Sequence, residues 1–292
     1  GSMSQIADFE QLCRAQNTAQ ISISQGGKVV FDRTFVKHPI DVFAVQKGIL
    51  SILIAIAENR YFLERYDAMN HILTPEWTQL SKPDEASLTV EILMNMTTGM
   101  DERLKQDGVI GRDWAYNNVA YQKLKEALEI QTGLSLQAIT EQWLLEPLGL
   151  SDMTWRTRTA DRAGHAFSAI YTTAQTLRAI GDGLLFESLV ESSYLDQLET
   201  PSNSTNPAWS LLWWTNRAKT HQVPGSPEII ERALLPAAPE DLISARGLLG
   251  QHLSISRQHE LVVAQTRVSS TQAGIREPGQ TEFWSAVTGL YC

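Results

Sequence analysis

The stretch VFAVQKGILSILIAIA, residues 42–57, constrains the fold more than any other. Ile49, Ile52, Leu53 and Ile56 recur at helical spacing, and Leu50 and Ile54 widen the stripe almost all round a helix expected over Phe43–Arg60. A helix apolar on every side has no face for water, so other elements must cover it. Its strongly apolar part, Ile49–Ala57, is too short to span a bilayer, which leaves a protein interior as its place. One charge, Lys47, falls in its first turn, one turn after the chemically blank Ala44.

The cover can be sought at both ends of the chain. AQISIS alternates and is followed by QGGKVVFDRTF, which reads as a hairpin through a Gly-Gly turn with Ile21 and Ile23 on one face. Near the other end LISARG, GQHLSISR and ELVVAQTRV read as strands, and EFWSAVTGLY as a closing helix. Between them TVEILMNMT, NVAYQKLKEALEIQTG, LQAITEQWLLEPLG and TTAQTLRAIGDGLL carry helical spacing ending near Gly or Pro. Residues 201–240, rich in Pro, Ser and Asn around AWSLLWWTN, read as strand and loop. The expectation is one α+β domain over 1–292. Residues 1–60 and about 201–292 supply an antiparallel sheet, and about 61–200 form an inserted, mainly helical subdomain.

With 292 residues, 43% of them hydrophobic, the chain can bury a sizeable core, and a net charge of −9 with no basic run argues against nucleic acid or an anionic membrane as partner. Cys13 and Cys292 give no disulfide framework or metal spacing, so a reducing, cytoplasmic setting is expected. The Gly-Ser-Met leader reads as a cloning remnant, which leaves a trimmed signal and a periplasmic setting open. His71, His165, His221, His252 and His259 show no ligand spacing and are read as structural or surface residues.

A hairpin followed by a buried helix that opens with x-x-x-Lys resembles the serine β-lactamase and penicillin-binding protein family, whose helix begins Ser-x-x-Lys. Here the tetrad is AVQK. Four further segments follow in the family's order. SLTVEILMNMTTGMD precedes DWAYNNVAYQKL, where Tyr116 and Asn118 match the family's Tyr-x-Asn, and EPLGLSDMTW and AFSAIYTTAQTLRAIGDGLL come next. SARGLLGQHLSI stands where the family has [Lys/His]-[Thr/Ser]-Gly, with Ala245, Arg246 and Gly247 as the triplet. This departure resembles the class C β-lactamase-like esterase and amidase branch that includes 6-aminohexanoate-dimer hydrolase. The resemblance covers roughly residues 20–266.

It implies a β-lactamase/transpeptidase-like fold and acyl transfer to a hydroxyl at position 44. Lys47, on the same helical face, takes the proton together with Tyr116, and Asn118 binds substrate. Gly247 keeps the strand edge open for a substrate, and the N–H groups of residues 44 and 248 (Ala44, Leu248) form an oxyanion hole. The implied substrate is a small amide or ester, with no metal or organic cofactor. A β-lactam fits less well, since the lysine or histidine that usually meets its carboxylate is absent.

Alanine at 44 has no hydroxyl to give. No second Ser-x-x-Lys occurs, and Ser51, two turns on, faces packing. Two readings remain: a serine hydrolase or acyltransferase carrying an engineered Ser-to-Ala change, or a natural pseudoenzyme that binds a peptide-like or acylated ligand without turnover. Retention of Lys47, Tyr116 and Asn118 favours the first, because burying an amine and a phenol is costly without chemistry to justify it. Arg246 is read either as a fork for a substrate carboxylate or as a solvent-facing strand residue. Trp209, Trp213 and Trp214 either line a cleft or belong to the core.

Overall fold

A computed structural model of the chain describes residues 3–268 and 279–292, so Gly1 and Ser2 of the leader lie outside the described residues. Helix α1 (Met3–Ala15), which the sequence reading did not anticipate, buries Phe9 and Cys13 one turn apart. The hairpin follows as β1 (Thr18–Gln25) and β2 (Lys28–Thr34), then a short β3 (Ile40–Asp41) and the apolar helix α2 (Val45–Asn59). The middle contains α3 (Lys82–Ala86), α4 (Val90–Met94), α5 (Asn118–Thr132), α6 (Leu136–Thr140), β4 (Met153–Thr157), β5 (Ser168–Thr172), α7 (Ala174–Phe186) and α8 (Ser192–Glu199). The chain closes with β6 (Trp209–Ser210), β7 (Trp213–Thr215), β8 (Ile243–Gly247), β9 (Gln251–Ser256), β10 (Leu261–Arg267) and α9 (Gly279–Tyr291).

Strands from the two ends form one antiparallel sheet of order β2-β1-β10-β9-β8-β7-β6. The join is β1 on β10, with Ile21 opposite Gln265 and Ile23 opposite Val263. Its reason lies in the pattern: β1 and β10 are buried on both faces, so each needs a strand beside it and a layer above and below. Phe9 of α1 packs on Phe31 and Phe283 on one side, while α7 crosses β1, β9 and β10 on the other. Gly181 of α7 permits that contact, since a Cβ there would lie 2.5 Å from Val262 Cγ1.

Two details add to the expected division of the chain. Within the mainly helical residues 61–200, β4 and β5 join β3 in a second sheet of order β3-β5-β4. Their last long helix, α7, belongs to the layer on the main sheet. No helix among the described residues is long and apolar enough to cross a membrane.

Helix α2 runs through the centre with twelve buried residues, Lys47 and Ser51 among them. Gly48 seats it on the sheet: a Cβ there would meet Ala245 Cβ at 2.6 Å and the Trp213 ring at 3.0 Å. Gly48→Ala therefore sets a helix-propensity gain of about 1 kcal/mol against overpacking of about 1–3 kcal/mol. We expect a net loss by urea denaturation, largely recovered in Gly48→Ala/Ala245→Gly. An undiminished midpoint in the single variant would show that the layers part without strain.

Candidate active site

The site begins at the turn that feeds α2. β3 pairs with β5 through Ile40 opposite Thr172 and Asp41 opposite Tyr171, and this fixes where the chain leaves the small sheet. Asp41 Oδ1 accepts the Phe43 N–H at 2.9 Å, and its carboxylate receives Arg158 Nε and Nη2 at 2.8–3.0 Å. Phe43 is held at φ +50°, a left-handed conformation that a bulky residue adopts only where its surroundings impose it. Ala44 follows in helical geometry as the N-cap of α2, with no side-chain cap, and the next three N–H groups are taken by the carbonyls of Val42, Phe43 and Ala44.

Lys47, one turn on, is 5% exposed, and its Nζ lies 4.6 Å from the ring centroids of both Tyr116 and Tyr121. Burial, reinforced by the Arg158 guanidinium and opposed by Glu102, brings its pKa down to about 7. Burial pushes the Tyr116 phenol well above its ordinary range, with Glu102 adding to the effect. Near neutrality the amine is thus about half-deprotonated while the phenol keeps its proton.

The adjacent asparagines of the Tyr-x-Asn segment divide the work. Asn117 caps α5, its Oδ1 accepting the N–H groups of Val119 and Ala120 while its Nδ2 donates to the carbonyls of Met100 and Asp101. Asn118 is thereby free of capping duty and lines the cavity beside Tyr116.

The opposite wall is the end of β8. A Cβ on Gly247 would lie 2.4 Å from Val42 O and 2.9 Å from Ala44 N, so glycine is required there by space alone. Leu248 lines the same cavity. Arg246 borders it and does not face solvent, as one of its two readings had it. It is 4% exposed, and its guanidinium donates to Ser244 Oγ and to Gln280 Oε1 of α9. Strand alternation explains this, since Ala245 faces α2 and its neighbour must face the other way. The tryptophans divide by the same rule: Trp213 lies under Gly48, while Trp209 and Trp214 line the cavity, edge to face with centroids 4.9 Å apart. Ser51 is fully buried, bonded to Tyr194 Oη and Leu211 O at 2.6 Å each, and cannot meet a substrate.

These residues enclose a cavity of about 560 Å³. It brings together Ala44, Lys47, Tyr116, Asn118, Gly247 and Leu248, and adds Phe43, Tyr121, Phe167 and Arg158, which the sequence reading left out of the site. Tyr121 had a signal available, since it lies three residues after Asn118 on the same helix face. Arg158 had none: its partner Asp41 is 117 residues away. Behind Tyr121 sits a second buried amine, Lys125. It donates to Ser168 O and Oγ at 3.1 and 2.9 Å, and burial, with Lys47 adding to it, brings its pKa down to about 6.

A seven-stranded antiparallel sheet, a buried helix presenting x-x-x-Lys, and a facing Tyr-x-Asn make up a fold of the serine hydrolases. The profile of the beta-lactamase family matches residues 8–267, and the chain belongs to that family. Among solved structures it is similar to EstCE1, a hydrolase with promiscuous acyltransferase activity (TM-score 0.73, 13% identity, 97% of each chain covered). It is also similar to a D-stereospecific amidohydrolase from Streptomyces sp. (0.69, 13%, covering 100% of this chain and 99% of that one). A third is the octameric penicillin-binding protein homologue from Pyrococcus abyssi (0.71, 15%, covering 99% and 78%). No curated protein matches the sequence.

Proposed function

We propose that the chain is a serine hydrolase of small amides or esters whose nucleophile position is taken by Ala44, so that it binds substrate without turning it over. The observation that carries this is Lys47. A buried amine held near neutrality by its surroundings, one helical turn from position 44, is what a hydroxyl there needs as its base.

With serine at 44, Lys47 takes the hydroxyl proton as oxygen attacks the carbonyl carbon, and the N–H groups of residues 44 and 248 receive the developing oxyanion. Tyr116 passes a proton to the leaving amine or alcohol. Water, or another acceptor, then releases the acyl group by the reverse sequence. Asn118 and Gly247 hold the substrate along the end of β8.

Because the neutral amine is the active form, kcat/KM of Ala44→Ser should rise with pH through a midpoint about 7, where an ordinary lysine would place it above 10. A rise with its midpoint near 10 would mean that the essential base is not an amine of lowered pKa, and a rate that falls with pH through about 7 would mean that Lys47 works protonated. Tyr116→Phe in that background should cost on the order of 10²–10⁴ in rate, most with poor leaving groups. The rival reading, a natural binder, rests on Ala44 itself. It predicts that Ala44→Ser takes up no fluorophosphonate label and hydrolyses no nitrophenyl ester.

A further inference from the structure

One cation of the cavity has no part in the acyl transfer just described. Arg158 follows β4, commits Nε and Nη2 to Asp41, and lies 5.0 Å from the Phe43 ring centroid. Its Nη1 has no hydrogen bond among the described residues, and its side chain, 35% exposed, borders the cavity. Asp41 is not among the lining residues, and no other Asp or Glu is either. Lys47, Arg158 and Arg246 thus line the cleft with no carboxylate among the lining residues, while Asp41 and Glu102 act from outside it, in a molecule of net charge −9.

The other two cations are committed elsewhere. Arg246 is turned toward α9 and held by Ser244 and Gln280. Lys47 must give up its proton to act as base, and a bound carboxylate would hold the proton on it. Arg158 stays charged throughout, is oriented by Asp41, and keeps two N–H groups of its fork for a ligand. Phe43 adjoins Ala44 in the chain, and Arg158 and Ala44 line the same cavity. On the far side Trp209, Trp214, Val223 and Pro224 offer apolar surface.

We propose that Arg158 determines specificity by receiving a carboxylate, so that the substrates are small amides or esters with an anionic group near the scissile bond and an apolar group against Trp209 and Trp214. The proposal rests on the reading of this cleft as a hydrolase site, but binding can test it without turnover. The chain with Ala44 is titrated with N-hexanoylglycine and with its uncharged amide, N-hexanoylglycinamide, and tryptophan fluorescence reports the dissociation constants. The acid should bind about tenfold tighter, and that preference should fall to within about twofold in Arg158→Gln, survive in part in Arg158→Lys, and weaken with added salt.

Equal binding of the pair, no binding of either at millimolar concentration, or a preference that persists in Arg158→Gln would each overturn it. Hydrolysis of a neutral nitrophenyl ester by Ala44→Ser is judged separately. If it occurs while the acid shows no preference, the hydrolase reading stands and only the anionic substrate class falls.

Discussion

Ala44→Ser is expected to convert a silent protein into a hydrolase. Removal of the nucleophile from a serine hydrolase costs on the order of 10⁶ in kcat, and the residues proposed to serve it line one cavity. Lys47 lies one turn from position 44 against Tyr116, and Gly247 brings the end of β8 against the Ala44 N–H. Intact mass after treatment with a fluorophosphonate should show one adduct on the serine variant and none on the parent chain, alongside turnover of short-chain nitrophenyl esters. Adding Lys47→Ala should remove on the order of 10²–10⁴ of the gained rate by deleting the general base. Turnover unchanged by that second substitution would take Lys47 out of the mechanism. No label and no turnover in Ala44→Ser would instead leave a binding protein.

The second large effect concerns stability and has the opposite sign from activity. Lys47 titrates at about 7 in the folded chain and near 10.5 unfolded, so between these values the unfolded state binds the extra proton and stability rises with pH. Below about 7 both states are protonated, and the full penalty of a buried ammonium is present. Lys47→Met keeps the bulk and removes the charge. It should raise stability by a few kcal/mol (on the order of 1.4 per pKa unit) at pH 6, with the gain fading toward pH 10. Urea midpoints of parent and variant across that range measure it. A gain independent of pH would trace to packing and not to the amine. Lys125 adds a similar slope nearer pH 6, and because both lysines flank the Tyr121 ring their effects should not be additive.

Such a penalty is what the proposed use of Lys47 as a base would account for. The same holds for Phe43, whose left-handed backbone is fixed by Asp41 so that position 44 emerges at the head of α2.

Much of this was legible in the sequence because it is local. The all-round apolar pattern of 42–57 required a buried helix, alternation around the Gly-Gly turn required a hairpin, and the order of x-x-x-Lys, Tyr-x-Asn and the x-x-Gly strand placed Ala44, Lys47, Tyr116, Asn118 and Gly247 in one cleft. What the sequence could not supply is parity and distance. Whether Arg246 or Ala245 faces α2 depends on the register of β8 with β9, where Arg246 opposes His252, and no local pattern encodes that choice in a strand buried on both faces. Which of Asn117 and Asn118 caps the helix was settled by the carbonyls of Met100 and Asp101, which hold Asn117 in place. Arg158 enters the cleft only because β3, β4 and β5 pair into a sheet that sets it against Asp41, a contact that exists only once the chain has closed on itself.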